Sequence, residues 1–259
     1  NDVTSIVRAA VDIYYQRYHF ILAHLAKGEG AEFAKAILGS ADKHLIEPMH
    51  GIGVFLALIK GWLDDCADAC YPILANYLVS IGESKAEIDA LRPNLAKLAK
   101  YFKDRPLAVS IVTSSIHYEA NIVLSEVFRV LVEEIKTWDV PAEKRLFLCE
   151  QFADYKNYYD GFITASDSSE IRLKPHRDLY SLALHQMGIA PADFNKVVGF
   201  EDSESGTIAI RAAGIPVCCA LPFPETKGHA FNAATHVAYG GVPEVMLKHR
   251  VFLPESLLR

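Results

Sequence analysis

Val197-Val-Gly-Phe-Glu-Asp-Ser-Glu-Ser-Gly206, followed by Thr207-Ile-Ala-Ile-Arg-Ala-Ala-Gly214, is the stretch that decides how this chain is read. A short apolar run ends in adjacent acids, Glu201 and Asp202, then Ser203, and a helical pattern opens near Gly206. A buried strand running straight into a helix is one step of an α/β fold. In open parallel sheets ligands bind beyond the carboxyl ends of the strands. Two carboxylates at that point are hard oxygen donors suited to Mg²⁺. The same residues also suit a plain strand-to-helix loop in which Asp and Ser cap the next helix. Taken alone, the segment leaves these two readings level.

The same texture continues on either side. Pro106-Leu-Ala-Val-Ser-Ile-Val-Thr113, Phe162-Ile-Thr-Ala165 and Pro216-Val-Cys-Cys-Ala220 are further short apolar segments. Helical stretches separate them: Leu95–Phe102, Tyr118–Lys136, Leu179–Met187 and Ser205–Ala213. Strands alternating with helices predict a doubly wound, Rossmann-like α/β core with a parallel sheet. The near-continuous hydrophobicity of 106–113 predicts a strand buried on both faces.

Before about residue 105 only helical patterns occur. From Val3 to Ala26 apolar residues recur at three- and four-residue steps, with Thr4 or Ser5 as cap and Gly28 and Gly30 as stops. Glu32–Leu38, Gly53–Ile59, Ala67–Ser80 and Lys85–Leu91 follow. The expected organisation is a helical module over residues 1–92, which the family resemblance drawn below implies is an α-helical cap, and an α/β core over 93–259. No internal repeat or low-complexity linker appears.

Composition narrows the class. The 259 residues are 51% hydrophobic and 22% charged, which excludes a disordered, collagen-like or disulfide-stapled chain. Lys+Arg of 26 against Asp+Glu of 32 gives a net charge of −6 with no basic block, so no nucleic-acid or anionic-membrane partner is expected. The longest nearly apolar run, Ile52 to Ile59, is too short to span a bilayer. An odd set of five cysteines without framework spacing fits a reduced, cytoplasmic setting. Cys66 and Cys70 share a helix face without a partner pair, and Cys218 and Cys219 should point to opposite faces of a strand. Both pairs read as packing residues.

Two more segments carry candidate chemistry. In Arg172-Leu-Lys-Pro-His-Arg-Asp-Leu-Tyr180, Lys174 falls between a strand and a helix, where a lysine can neutralise a phosphate or a metal-bound carboxylate. The plain alternative is an exposed lysine before a Pro-initiated helix. Val109-Ser-Ile-Val-Thr113-Ser114-Ser115 ends a strand in three hydroxyls, which can hold phosphate oxygens or simply cap a helix.

In this order, the three segments together resemble the haloacid dehalogenase superfamily of hydrolases, particularly its β-phosphoglucomutase-like phosphatase branch. The resemblance covers about residues 94–221. Thr113 matches that family's phosphate-binding Ser/Thr. Lys174, within Lys-Pro-x-x-Asp-x-Tyr, matches its third-motif lysine. Glu201 and Asp202, in Glu-Asp-Ser-x-x-Gly, match the acids that hold Mg²⁺. The resemblance implies a Mg²⁺-dependent phosphatase that takes a phosphorylated small molecule through a phospho-aspartyl intermediate. Ser114 and His176 are then secondary substrate contacts. Sister reactions of the family, a phosphosugar mutase or a C–P hydrolase, stay open, as does a catalytically inactive binding or scaffold homologue. Oligomeric state has no signature here. The stretch Glu133–Lys156 is longer than this branch usually carries.

The family's first motif, Asp-x-Asp at the end of a first strand, does not occur. Asp64-Asp65-Cys-Ala-Asp68 lacks the spacing and reads as a solvated helix face; Asp2-Val3-Thr4 has no strand before it. Because the chain opens without Met in a helical pattern, the expectation is an N-terminal truncation just after the nucleophile strand. A central strand missing from the family fold would leave buried backbone groups unpaired, at roughly 1–3 kcal/mol each. The chain by itself is therefore expected to fold poorly.

Overall fold

The computed structural model describes residues 16–39, 44–170, 172–249 and 251–252. Tyr14, Tyr15, the Asp2-Val3-Thr4 stretch and the first part of the helix expected from Val3 lie outside the described residues. Helix α1 occupies residues 16–26. Then come α2 (Gly30–Leu38), α3 (Ile52–Ile59), α4 (Ala67–Ser80) and α5 (Lys85–Lys103). The α/β part follows: β1 (Ser110–Val112), α6 (His117–Ile135), α7 (Ala142–Gln151), α8 (Tyr155–Tyr158), β2 (Gly161–Ile163), α9 (Asp178–Gln186), β3 (Val198–Glu201), α10 (Glu204–Ala212), β4 (Val217–Ala220), β5 (His236–Val237) and α11 (Gly241–Glu244). A π-helical turn, Val245–His249, ends the described fold.

Among the described residues all strand pairs are parallel, and α/β is the fold class observed. Among the described residues the strands form two sheets, β1–β2 and β3–β4–β5. Ser110 pairs with Gly161 in the first, and Val198 with Val217 in the second.

Alternation along the strands sorts the layers. On β3, a methyl group added at Gly199 would meet Ile210 of α10 at 2.7 Å, so this face lies against α10. The next residue, Phe200, points the other way and packs edge-on against Phe55 of α3. On β2, Ile163 clusters with Leu179 and Ala183 of α9, whereas Phe162 joins the cluster built from α3 to α8. One layer is therefore α9 and α10, spread across both sheets. The opposite layer is the large cluster of α3, α4, α5, α6 and α8. Helix α3 is apolar nearly all round, and it is buried accordingly from Gly53 to Ile59.

Residues 92 and 93 lie within the single helix α5, which runs through Pro93, so no chain break or loop marks that position. The same cluster also joins α3–α5 to Phe128, Tyr158 and Leu221. The β1 strand is half-buried along its length, not buried on both faces. Its bonds to β2 use alternate residues: Thr113 N–H donates to Ile163 O at 2.9 Å, and Val109 O accepts from Asp160. By that alternation Ser110 and Val112 turn their backbone groups away from β2.

The five cysteines are unpaired. Cys218 and Cys219 are both fully buried, as packing residues on opposite faces of β4 should be. Asp64 and Asp68 form surface pairs with Lys103 and Arg92, as a solvated face would. Among the described residues no helix is long and apolar enough to cross a membrane.

Candidate functional site

The carboxyl ends of β1 and β3 open on a cleft of about 310 Å³, lined by Met49, Val112, Thr113, Lys174, Phe200, Glu201, Asp202, Leu221 and Phe223. Four of the six residues singled out in the sequence meet here: Thr113, Lys174, Glu201 and Asp202. They come from three separate segments of the chain.

Glu201 is the last residue of β3, and alternation turns its side chain toward α9 and α10. It is buried there. One of its oxygens, Oε1, accepts hydrogen bonds from both Lys174 Nζ and Tyr180 Oη. Ser203 approaches Oε2 at 3.4 Å. Gly206 makes this placement possible, since a methyl group there would collide with the Glu201 carboxylate. The glycine of Glu-Asp-Ser-x-x-Gly is thus a steric requirement of the buried acid. Ser203 also caps α10, its Oγ accepting from Gly206 N–H at 3.2 Å. The plain capping reading holds for Ser203.

Lys174 lies on the turn before α9, and the peptide that follows it, Lys174–Pro175, is cis. Leu173 packs against Ile163 and Leu179, which anchors the turn. The lysine's Nζ donates to Val112 O at 3.0 Å as well as to Glu201. Its side chain is only 12% exposed. A buried ammonium therefore ties the end of β1 to the end of β3, and of its three donors two have protein partners.

Thr113 follows β1 directly. Its Oγ1 accepts from Ser115 N–H at 3.1 Å, which leaves the hydroxyl proton free to donate elsewhere. Asp202 makes no hydrogen bond or ion pair with the described residues. The remaining two candidates do not line the cleft. Ser114 is exposed, and His176 is exposed and bound to Asp178 at 3.0 Å.

Tyr180 has no role assigned from the sequence, although it closes the Lys-Pro-x-x-Asp-x-Tyr motif. Burial, reinforced by the Glu201 charge, pushes its phenol well above the usual range and keeps it a donor. A tyrosine on the buried face of a helix needs an acceptor for its hydroxyl, and that requirement was the available signal. Met49 and Phe223 add apolar walls that no motif announced. Phe223 is fixed by a turn in which its N–H donates to Thr226 Oγ1 at 3.0 Å.

The donor chemistry can accommodate a divalent cation. Mg²⁺ keeps several waters and takes one or two carboxylates together with phosphate oxygens. Asp202 offers such a carboxylate, and Glu201 has only Oε2 left to offer. Among the described residues no group of three or more Asp, Glu, His or Cys side chains is arranged to hold a metal.

No protein-family model matches the chain, and no curated protein matches it in sequence. Among solved structures it is similar to CbbY from Rhodobacter sphaeroides in complex with phosphate, at 17% identity, covering 63% of this chain and 67% of that one with a TM-score of 0.40. It is also similar to a mutant of that protein in complex with xylulose-(1,5)bisphosphate, at 18% identity, the same coverage and a TM-score of 0.41.

Proposed function

We propose that this protein binds a phosphate monoester in the cleft between β1 and β3 and hydrolyses it with Mg²⁺, as the motif resemblance implies. One observation carries the reading. A buried lysine, a hydroxyl with its proton available to donate and a carboxylate unpaired among the described residues converge beyond the carboxyl ends of two parallel strands.

Each residue then has a physical task. Lys174 faces the phosphoryl oxygens with its third N–H and offsets charge that builds on them during transfer. Thr113 donates its hydroxyl proton to another of those oxygens. Asp202 would hold Mg²⁺, with Glu201 Oε2 as a second oxygen; the metal would supply neutralisation of phosphoryl charge. Glu201 Oε1 holds Lys174 in place and aims it. The helices α3–α5, with Met49, would form one wall of the cleft and contribute to the choice of substrate. The aspartate nucleophile of the family mechanism is not among the described residues that line the cleft, where Asp202 is the one aspartate. Binding and turnover are therefore tested separately.

The binding test is calorimetric titration of the chain with inorganic phosphate, with and without Mg²⁺. Saturable binding is expected, weakened in Thr113→Val and weakened further, at least about tenfold, in the paired variant Lys174→Met, Glu201→Gln, which removes both charges together. Unchanged affinity in both variants refutes the site. Turnover is read as release of phosphate from an aryl phosphate, and Asp202→Ala should abolish the Mg²⁺-dependent release.

A further inference from the structure

We infer that Tyr180 is a positioning residue for Lys174, acting through Glu201. The inference rests on the phosphate-binding reading above and adds a residue to which the motif resemblance gives no role.

The geometry sets up a competition. Lysine is a point charge on a flexible four-carbon stem with three equivalent donors. A buried carboxylate beside it tends to draw in as many of those donors as it can. Here Glu201 Oε1 is shared between Lys174 and the Tyr180 hydroxyl. The second donor takes up part of the charge on that oxygen and fixes the carboxylate's rotation. Lys174 is held by one bond to Glu201 and one of 3.0 Å to Val112 O, so its third N–H is left for the cleft. The Tyr180 ring also lies beneath the ammonium, with Nζ 5.4 Å from the ring centroid. It backs the lysine from the α9 side, so Lys174 cannot retreat from the cleft without losing that contact.

The roles of ring and hydroxyl are separable. Tyr180→Phe keeps the ring and the packing of α9 and removes only the donor to Glu201. Two measurements on this variant test the inference. One is the affinity for inorganic phosphate without divalent metal. The other is the NMR signal of the Lys174 ammonium, which its hydrogen bonds should protect from exchange in the parent chain. Phosphate affinity is expected to fall roughly threefold to tenfold, in the range of coupling between contacting residues. The Lys174 ammonium signal should broaden or shift while the methyl signals of Leu179 and Leu184 stay in place.

Unchanged affinity overturns the inference. So does a loss of affinity with an unchanged Lys174 signal, because the tyrosine would then act by packing alone. If the parent chain binds no phosphate, the proposed function falls, and an unmoved Lys174 signal in the variant would separately overturn the positioning role. Should Tyr180→Phe lose methyl dispersion, Glu201→Gln is measured in its place. It weakens the acceptor without touching α9, and the same displacement of Lys174 is expected; an unmoved Lys174 signal there also counts against the inference.

Discussion

Two lysines in this molecule sit in nearly the same chemical setting at opposite ends of the strands. Lys60 pairs with Asp160 at 2.6 Å and lies over the Tyr158 ring at 5.2 Å. Lys174 pairs with Glu201 and lies over the Tyr180 ring at 5.4 Å. Both lysine side chains are 12% exposed. Their acids differ: Asp160 is 46% exposed and Glu201 is 6%. Asp160 precedes β2 and also accepts from Val109 N–H at 2.8 Å, so the Lys60 pair ties together the amino ends of β1 and β2. Tyr158 donates away from the acid, to Leu56 O at 2.9 Å. At the other end Tyr180 donates to the acid, and the lysine keeps a donor facing a cleft. A lysine, an acid and a tyrosine do not by themselves define a site. Their place at the carboxyl ends of the strands, and where the tyrosine proton goes, separate the proposed binding group from a clamp.

The largest expected effect separates the two lysines directly. Neutralising the Lys174 pair with Lys174→Met, Glu201→Gln should weaken phosphate binding at least about tenfold, as loss of a charge-assisted hydrogen bond does. Lys60→Met should leave phosphate affinity within a factor of about two, because that pair lies at the far end of the strands. Equal losses in the two variants would erase the distinction.

Gly206→Ala comes next. It alters no charged group, yet its new methyl collides with the Glu201 carboxylate. Forcing a group into a filled space costs about 1–3 kcal/mol, and the displaced acid should carry Lys174 with it. Lower stability together with weaker phosphate binding is expected, measured by chemical denaturation and calorimetry. Full affinity in a destabilised variant would show that Glu201 does not aim the lysine.

How much of this contrast was legible beforehand depended on periodicity and on context. Strongly patterned elements were visible within a residue or two: α4, α6, α9, α10 and the cores of all strands but β5. Helix α7 was not, because Leu146 and Phe147 are exposed and only Leu148 is buried, so no apolar face recurs. The stretches Lys85–Leu91 and Leu95–Phe102 are one helix, because a proline such as Pro93 removes one helical hydrogen bond without ending a helix that is packed on Leu95, Leu98 and Phe102. Thr113, Lys174, Glu201 and Asp202 could be assembled because motif order stood in for distance. Their division of labour could not. Whether an acid at a strand end turns under a helix or into a cleft depends on strand parity and on one glycine. Ser114 and His176 were plausible by adjacency alone, and adjacency does not fix direction. The Lys60–Asp160–Tyr158 group went unread because its members are spread over about a hundred residues.

A smaller effect concerns the clamp by itself. Lys60→Met should lower stability by about 1 kcal/mol, since one partner is half exposed and screened. In a chain of this size that is a fall of roughly 2–4 °C in Tm. An unchanged Tm would mean that the backbone pairing of β1 and β2 holds their amino ends without it.

The smallest effect is a pH dependence at the clamp. Partial burial alone pushes the Asp160 carboxyl up, but the Lys60 ammonium and the Val109 N–H outweigh it and hold the group below its ordinary range. A carboxyl with a depressed folded-state pKa contributes stability that is present above the unfolded value, about 3.9. That contribution is lost as the pH falls through the folded value. Exposure limits it to well under about 1 kcal/mol. Asp160→Asn should therefore be slightly less stable than the parent at neutral pH, and the two should converge as the pH drops below 3.9 toward the folded value. Denaturation midpoints measured across that range test the sign. A gap that widens in acid would mean that the Asp160 charge opposes the fold, and that Lys60 holds the strand ends through its stem and its contact with Tyr158.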